Sequence, residues 1–428
     1  MKLTTKQIAI IIAGVVIVGT LVVLIVFRPG ASPSPPAYKL VVWGIDDRTA
    51  FEAGLAKYRA QYPQIEVAYK KIDAENYRAE LLNALAAGTG PDVFMIHNRA
   101  LPKQALTLMP ASAEQMNVGR FRELFPTVAE QDFIAGPSVY ALPLYLDTLS
   151  LLYNRDLFDR AGIVAPPATW AEFQTAASRL RSLDANGQLQ RAGAAIGGTA
   201  KTVHAAADLL QLLMLQQGTK MLDGQYASAA FSSEKGLAAL NFYVQFANNA
   251  SPFYTWNENQ KYDLDAFAAG EVAMVFGYRA DLAAIKRKNP FLNVAVAPMP
   301  QVRSDERVDW ADYWGLVVSR VSKVTTGAWE FARHFTADTE YAKLYADAAG
   351  RTPALRSLLG AQIENADTGV FARAALTARS WYQVDEEKIR GIFNSLIEAA
   401  LRNPSNSFTA LRSASDQVTQ LMQSARNN

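Results

Sequence analysis

Apolar and polar positions alternate along this chain in blocks. Residues 39–44 read KLVVWG, a short apolar run of buried-strand type. Phe51, Leu55, Tyr58 and Tyr62 then recur at helical spacing, and Pro63 stops the pattern. Thr49 and Glu52 have the spacing of a capping box at its start. Residues 65–69 alternate like a second strand. Asp73 stands where it can cap a second helix, with Tyr77, Leu81 and Leu85 on one face. Gly88, Gly90 and Pro91 end that helix, and 93–96 form a third apolar run. The order β-α-β-α-β predicts a parallel, doubly wound sheet. Ligands of such sheets bind beyond the carboxyl ends of the strands. Trp43, Asp46 and Asp47 follow strand one; His97 and Asn98 follow strand three.

Further along, 141–147 and 150–153 form an extended pair, and a helix follows Thr169 with Trp170, Phe173, Ala177 and Leu180 on one side. Helices are expected near 205–217 and 234–249, and 267–276 reads as a helix end running into a strand. Strands follow at 293–300 and 314–319. The last third is mostly helical, with its clearest apolar stripe at Ile389, Ile392, Phe393, Leu396, Ile397 and Ala400. Trp170 and Trp329 fall on apolar helical stripes and read as core; Tyr254 and Trp256 fit core as well as a site.

One block differs from the rest. Residues 8–27 are a run of 20 without a charge, enough for a helix about 30 Å long, one hydrocarbon thickness. The apolar core of a cleaved signal peptide is shorter, about 7–15 residues. The run reads as an uncleaved signal anchor, with Lys2 and Lys6 kept in the cytoplasm and the bulk of the chain outside. Residues 29–37, PGASPSPPA, read as an extended linker.

Charge sharpens this division. The 428 residues carry 42 Lys and Arg against 40 Asp and Glu, and Lys2 and Lys6 account for the whole excess. Everything after the anchor is formally neutral, which argues against binding nucleic acid through phosphate neutralisation. With no cysteine and three histidines, thiolate chemistry, disulfides and His-rich metal sites fall away, and no cofactor or metal is expected. The chain has no Gly-Lys dipeptide for a Walker A loop, no Gly-x-Ser-x-Gly elbow and no His-Glu-x-x-His. Asp184, Asn186 and Gly187 read as a plain turn. A carboxylate-pair glycosidase stays open, because the distance between two acids is invisible in sequence.

Four segments, taken in order, resemble the family 1 extracellular solute-binding proteins of ABC importers, the maltose-binding-protein-like group. They are KLVVW at 39–43 with its helix, GTGPDV at 88–93, ALPLYLDTLSLLYNRDLF at 141–158 followed by PPATWAEF at 166–173, and FAAGEVAM at 267–274. The resemblance covers about 39–425. It implies an α/β fold of type II periplasmic-binding-protein kind: two lobes, each with a parallel or mixed sheet flanked by helices, around a hinged cleft, here preceded by one transmembrane helix. The implied domains are the anchor at 1–28, the linker at 29–37, lobe one at 38–146 plus 308–353, and lobe two at 147–307 plus 354–428. Without a lipobox cysteine, the membrane helix would replace a lipid anchor. Gly277, Tyr278 and Arg279 stand where many sugar-binding relatives carry Asn-Gly-x-Trp.

A sugar offers C–H faces to aromatic rings and hydroxyls to Asp, Asn and Arg. By position in the family, the expected ligand-binding residues include Asn98, Asp147 at the lobe crossing, and Trp381 with Tyr382. By residue type and place, Trp43, Asp46, Asp47, Tyr278, Arg279, the cluster Trp310, Asp312, Tyr313 and Trp314, and Arg351 join them. The expected function is capture of a carbohydrate or similar polar solute for an ABC permease by a membrane-tethered, monomeric, non-enzymatic protein. A polyamine or an anion such as a glycerol phosphate, an anchored hydrolase, and a sensor with a degenerate cleft are the alternatives.

Overall fold

The computed structural model describes Thr4, residues 37–303 and residues 305–427. The segment read as an anchor, 8–27, lies outside the described residues, as do residues 29–36 of the linker. Among the described residues no helix is long and apolar enough to cross a membrane.

Strand Tyr38–Gly44 lies at the heart of the first sheet, pairing in parallel with Ile65–Lys71 and with Val93–His97. The crossovers are helices Arg48–Gln61 and Ala74–Ala86. All five residues of Val93–His97 are buried, as a strand covered on both faces requires. Trp314–Ser319 then joins antiparallel to Val93–His97, so the sheet is mixed and not wholly parallel. Gly88 ends the second helix at φ +70°, a conformation that an L side chain resists.

The expected capping box at Thr49 does not form. The helix starts one residue earlier, at Arg48, with Asp47 as N-cap, so Thr49 lies inside the first turn. Glu52 faces outward and accepts from Arg48 and Arg59, both at 3.0 Å. A capping box does form where Thr169 and Glu172 open helix Trp170–Leu180.

The second sheet runs Ser182–Leu183, Leu189–Ala194, Val272–Gly277, Ser150–Asn154, Val294–Ala297. Trp170 and Phe173 pack against Phe276 of this sheet, with Leu209, Leu213 and Phe393 in the same core. Each such aromatic, fully buried, stabilises the fold by about 1.5–3 kcal/mol. Trp329 is buried in the first core, and Trp256 in the second.

There are thus two hydrophobic cores. The chain steps between them between Leu146 and Leu149, between Trp310 and Ala311, and between Ala378 and Trp381. Those three places are the strands of one small sheet: Asp147–Thr148, Asp309–Asp312 and Ala378–Arg379. Asp312 lies directly across from Asp147 in this sheet. Ala354, Leu355 and Leu359 pack into the first core.

Candidate functional site between the two cores

The carboxyl end of strand Val93–His97 delivers His97, Asn98 and Arg99 to the face that meets the second core. His97 lies between two carboxylates: Nε2 is 3.2 Å from Asp312 and Nδ1 is 3.1 Å from Glu386. Arg99 is buried. It donates to Asp312 Oδ2 and to the Ala311 carbonyl, both at 2.8 Å, and lies 4.0 Å from Asp208. Its guanidinium stacks 4.8 Å from the centre of the Trp310 ring. Arg390 closes the ring, 3.5 Å from Asp312 and 3.8 Å from Glu386. Asp208 and Glu386 lie in the first turns of helices Ala206–Gln216 and Glu386–Arg402, where the helix dipole favours an anion. Tyr278 donates to Asp208 at 2.9 Å.

These charges settle one another's protonation. Burial works against a charged His97, yet Glu386 and Asp312 outweigh it and raise its pKa. Burial would raise Asp312, but His97, Arg99 and Arg390 hold it well below the usual carboxylate range. Glu386, also pushed upward by burial, is brought down to about 2 by His97 and the two arginines. With His97 protonated, three positive groups balance three negative ones, Arg390 at the water-exposed edge and the others largely buried. Even so, Asn98 Oδ1, Asp208 Oδ1 and Trp310 Nε1 are buried with no hydrogen-bond partner. Asp208 lies 4.0 Å from Arg99, the Trp310 ring stacks on it, and Asn98 precedes it in the chain. A buried polar atom without a partner is costly, and such atoms gather where a ligand or water completes the set.

A second cluster lies at the crossing sheet. Asp147 accepts from Arg351 and from the Thr352 backbone, both at 2.9 Å. Arg351 stacks 4.5 Å from the Tyr145 ring and reaches Asp46 at 3.5 Å. Asp46 also accepts from the Tyr345 hydroxyl. Arg279 donates to the Arg351 carbonyl at 2.5 Å. Gly350, left-handed at φ +64°, ends helix Thr339–Ala349 and turns Arg351 into this cluster.

Two bodies joined by crossing strands, with charged groups from both meeting beside the joint, is the arrangement of a binding protein. A family model described as bacterial extracellular solute-binding protein matches residues 44–342. The chain belongs to this family. A binding protein of Brucella abortus is 23% identical over 288 residues, covering 65% of this chain; the chain spans 66% of that relative's length. A maltotriose-binding protein of Pyrococcus abyssi is 21% identical over 378 residues, 86% of this chain and 78% of its own. Among solved structures, the sugar-binding protein MalE of Xanthomonas citri superposes with a TM-score of 0.77 at 21% identity, covering 91% of this chain and 98% of that one. A Thermotoga lettingae solute-binding protein, bound with α-D-tagatose, gives 0.74 at 22% identity, with 90% and 99% covered. These likenesses establish the two-lobed α/β solute-binding fold.

The residues singled out in this solute-binding protein divide into groups. Asp312, Tyr278, Trp310 and Asn98 meet around Arg99. Asn98 donates to the buried Asp132 at 2.8 Å, as does Tyr313 at 2.7 Å. Trp314 stands edge-on to His97 and Tyr77, beside a small void of about 30 Å³ lined also by Glu386. Asp147, Asp46, Arg351 and Arg279 make up the crossing cluster. Four residues lie apart from both. Trp43 is core, with Lys70 over its ring. Asp47 is exposed and pairs with Lys71 at 2.7 Å. Trp381 is buried and donates to Gln211 at 2.8 Å. Tyr382 is half exposed and packs on Tyr226.

Sequence reasoning missed Arg99, Asp208, Glu386 and Arg390, and passed over His97 when the candidates were chosen. Two carried a readable signal. Arg99 directly follows His97 and Asn98 at a strand end. Asp208 is the lone charge in a helix otherwise rich in leucine, AADLLQLLMLQ.

Proposed function

We propose that the protein captures a polar solute, a carbohydrate as the maltotriose-binding and tagatose-bound proteins it resembles do, between its lobes, and hands it to an ABC permease without covalent chemistry. The observation that carries this reading is the ring of His97, Arg99, Asp208, Asp312, Glu386 and Arg390. It draws groups from both lobes and leaves the bonding capacity of Asn98, Asp208 and Trp310 unspent. In this reading lobe one is built on 38–146 and the returning 311–359, lobe two on 149–310 and the described residues from 381 onward, and helix Gly369–Thr377 touches both cores, with Phe371 in the second and Ala372 and Ala375 in the first. The crossing sheet is the hinge, and the lobes part to admit ligand. Ligand hydroxyls exchange with the interlobe ion pairs, and Trp310 and Trp314 offer aromatic faces. Asp147 serves the hinge, since its bonds to Arg351 and Thr352 already employ both oxygens.

Residues 8–27 act as the membrane anchor in this proposal. The supports are their length, the lysines before them and the proline-rich linker after them. Retention of the chain in membranes after alkaline carbonate washing tests this arm separately.

A thermal-shift screen of the full chain against neutral mono- and oligosaccharides tests the main reading, because a ligand bound only by the native state raises Tm. A rise for a neutral sugar is expected. A flat response across the panel removes the carbohydrate assignment. A second reading, an anionic solute such as a polyol phosphate, is favoured by the two arginines. It predicts a Tm rise for the phosphate that fades with added salt.

A further inference from the structure

Away from the interlobe ring, the outer surface of the second lobe holds a depression of about 850 Å³. Its lining comes wholly from 186–259 and 401–404, both parts of the second lobe, so lobe closure neither makes nor unmakes it. None of its lining side chains is charged, although 19% of the chain's residues are. Eight are carboxamides, among them Asn186, Asn241, Asn248, Asn249, Asn257 and Asn259. The nearest acid in sequence, Glu258, is turned away to bond Thr199 and Thr202. Val244 and Leu401 supply apolar patches, and Tyr254 an aromatic ring.

Four elements converge to make this surface: the turn at 184–188, the outer face of helix Glu234–Val244 with the segment after it, the loop around Asn257, and the end of helix Glu386–Arg402 with the turn that follows. Part of the amide set is already spent. Asn257 bonds the Tyr254 hydroxyl, Asn248 accepts from the Ala250 backbone, and Gln245 donates to the Phe242 carbonyl. The side chains of Asn186, Asn241, Asn249 and Asn259 make no hydrogen bond to another described residue and remain available to a guest. The volume falls in the range of small-molecule sites, about 300–1,000 Å³.

The lining selects a chemistry. A charged guest would shed hydration and meet no countercharge. An apolar guest would leave the amides unpaired. Each carboxamide presents a donor and an acceptor side by side, which suits neighbouring hydroxyls, while the apolar patches and Tyr254 suit C–H faces. We propose that this depression is a second binding site, distinct from the interlobe ring, for an uncharged polyhydroxylated molecule of small-sugar size.

Saturation-transfer NMR on the full chain tests it, with maltose and mannitol as neutral probes and glucose 6-phosphate as the charged counterpart. Asn241 and Asn259 are exposed, so the double variant Asn241→Ala/Asn259→Ala should keep the parent's Tm. It should bind the neutral probes at this site about tenfold more weakly, the effect of losing one or two neutral hydrogen bonds. Arg390→Ala, in the interlobe ring, should leave this binding unchanged. The proposal is overturned if the double variant matches the parent, if glucose 6-phosphate binds as well as maltose, or if neither neutral probe receives saturation at high millimolar concentration.

Discussion

The two charge clusters at the joint between the lobes have similar ingredients and different economies. Around Asp147 the ionic bonds are complete: both oxygens are engaged, and Arg351 is held by Asp147, Asp46 and the Tyr145 ring. Around Arg99 the ions balance but the bonding does not, for Asn98 Oδ1, Asp208 Oδ1 and Trp310 Nε1 lack partners. The first cluster joins segments that cross between the lobes. The second brings Asp208, Glu386 and Arg390 from one lobe against His97 and Arg99 from the other. Orphaned atoms border both clusters, since Thr148 Oγ1 and Thr352 Oγ1 beside Asp147 also lack partners; what separates the two is that the second sets ions of one lobe against ions of the other.

The sharpest break of this contrast is Asp147→Ala. It leaves Arg351 only the longer Asp46 contact and the Tyr145 ring, and leaves the Thr352 N–H without its acceptor; the loss should approach that of a broken buried pair, about 3–5 kcal/mol. Urea unfolding should register that loss. A variant of undiminished stability that no longer binds ligand would instead return Asp147 to the binding site.

Arg390→Ala should behave in the opposite way. The Arg390 side chain is 43% exposed, so its ion pairs contribute at most about 1 kcal/mol to stability. Its position in the ring should make affinity fall about tenfold, the loss of a charge-assisted hydrogen bond of about 1.4 kcal/mol or more. Calorimetric titration with the ligand found by the thermal screen measures it. Equal affinity in parent and variant would take Arg390 out of the site.

His97 adds a pH axis. Its pKa is raised in the folded chain, so its stabilising contribution is complete below the unfolded value near 6.5 and is lost as pH rises through the folded value. His204 titrates as well. Burial opposes its charge, but Asp263 and Asp281 hold it at about 10, so its own contribution drains between pH 6.5 and 10. Asp263 makes a 2.8 Å hydrogen bond to it, whereas Asp281 lies 3.2 Å away outside hydrogen-bonding geometry. Because His204 is present in both, the difference in stability between parent and His97→Asn isolates His97. That difference should shrink as pH climbs above 6.5. A difference independent of pH would mean that the ring holds His97 neutral.

The elements were more legible than the site. Strands at 39–44, 65–69, 93–96 and 314–319 could be read because apolar runs and helix stops are local signals, and the cores of Trp170 and Trp329 followed from helical periodicity. The failure at Thr49 was also local: a capping pattern cannot reveal that Arg48 and Arg59 draw Glu52 outward. The ring at Arg99 is another matter. Its members lie in segments hundreds of residues apart, and only the packing of lobe on lobe brings Glu386 to His97. Neither residue type nor family position reveals burial. Trp43, expected by type, and Trp381, expected by family position, fill cores, and Tyr382 lies out on the surface against Tyr226.

The smallest predicted effect separates two neighbours that looked alike in sequence. Asp46 and Asp47 both follow the first strand. Asp46 accepts from the Tyr345 hydroxyl and reaches Arg351, joining helix Thr339–Ala349 to the crossing cluster. Asp47 points into solvent with Lys71, where water and salt screen the pair. Asp46→Asn should lower Tm modestly and leave ligand affinity intact, because its partners belong to the completed cluster. Asp47→Asn should change neither quantity beyond measurement error. A loss of affinity in Asp47→Asn alone would place ligand at the first strand's end and not against the Arg99 ring, because no contact within the protein could transmit the effect from so exposed a side chain.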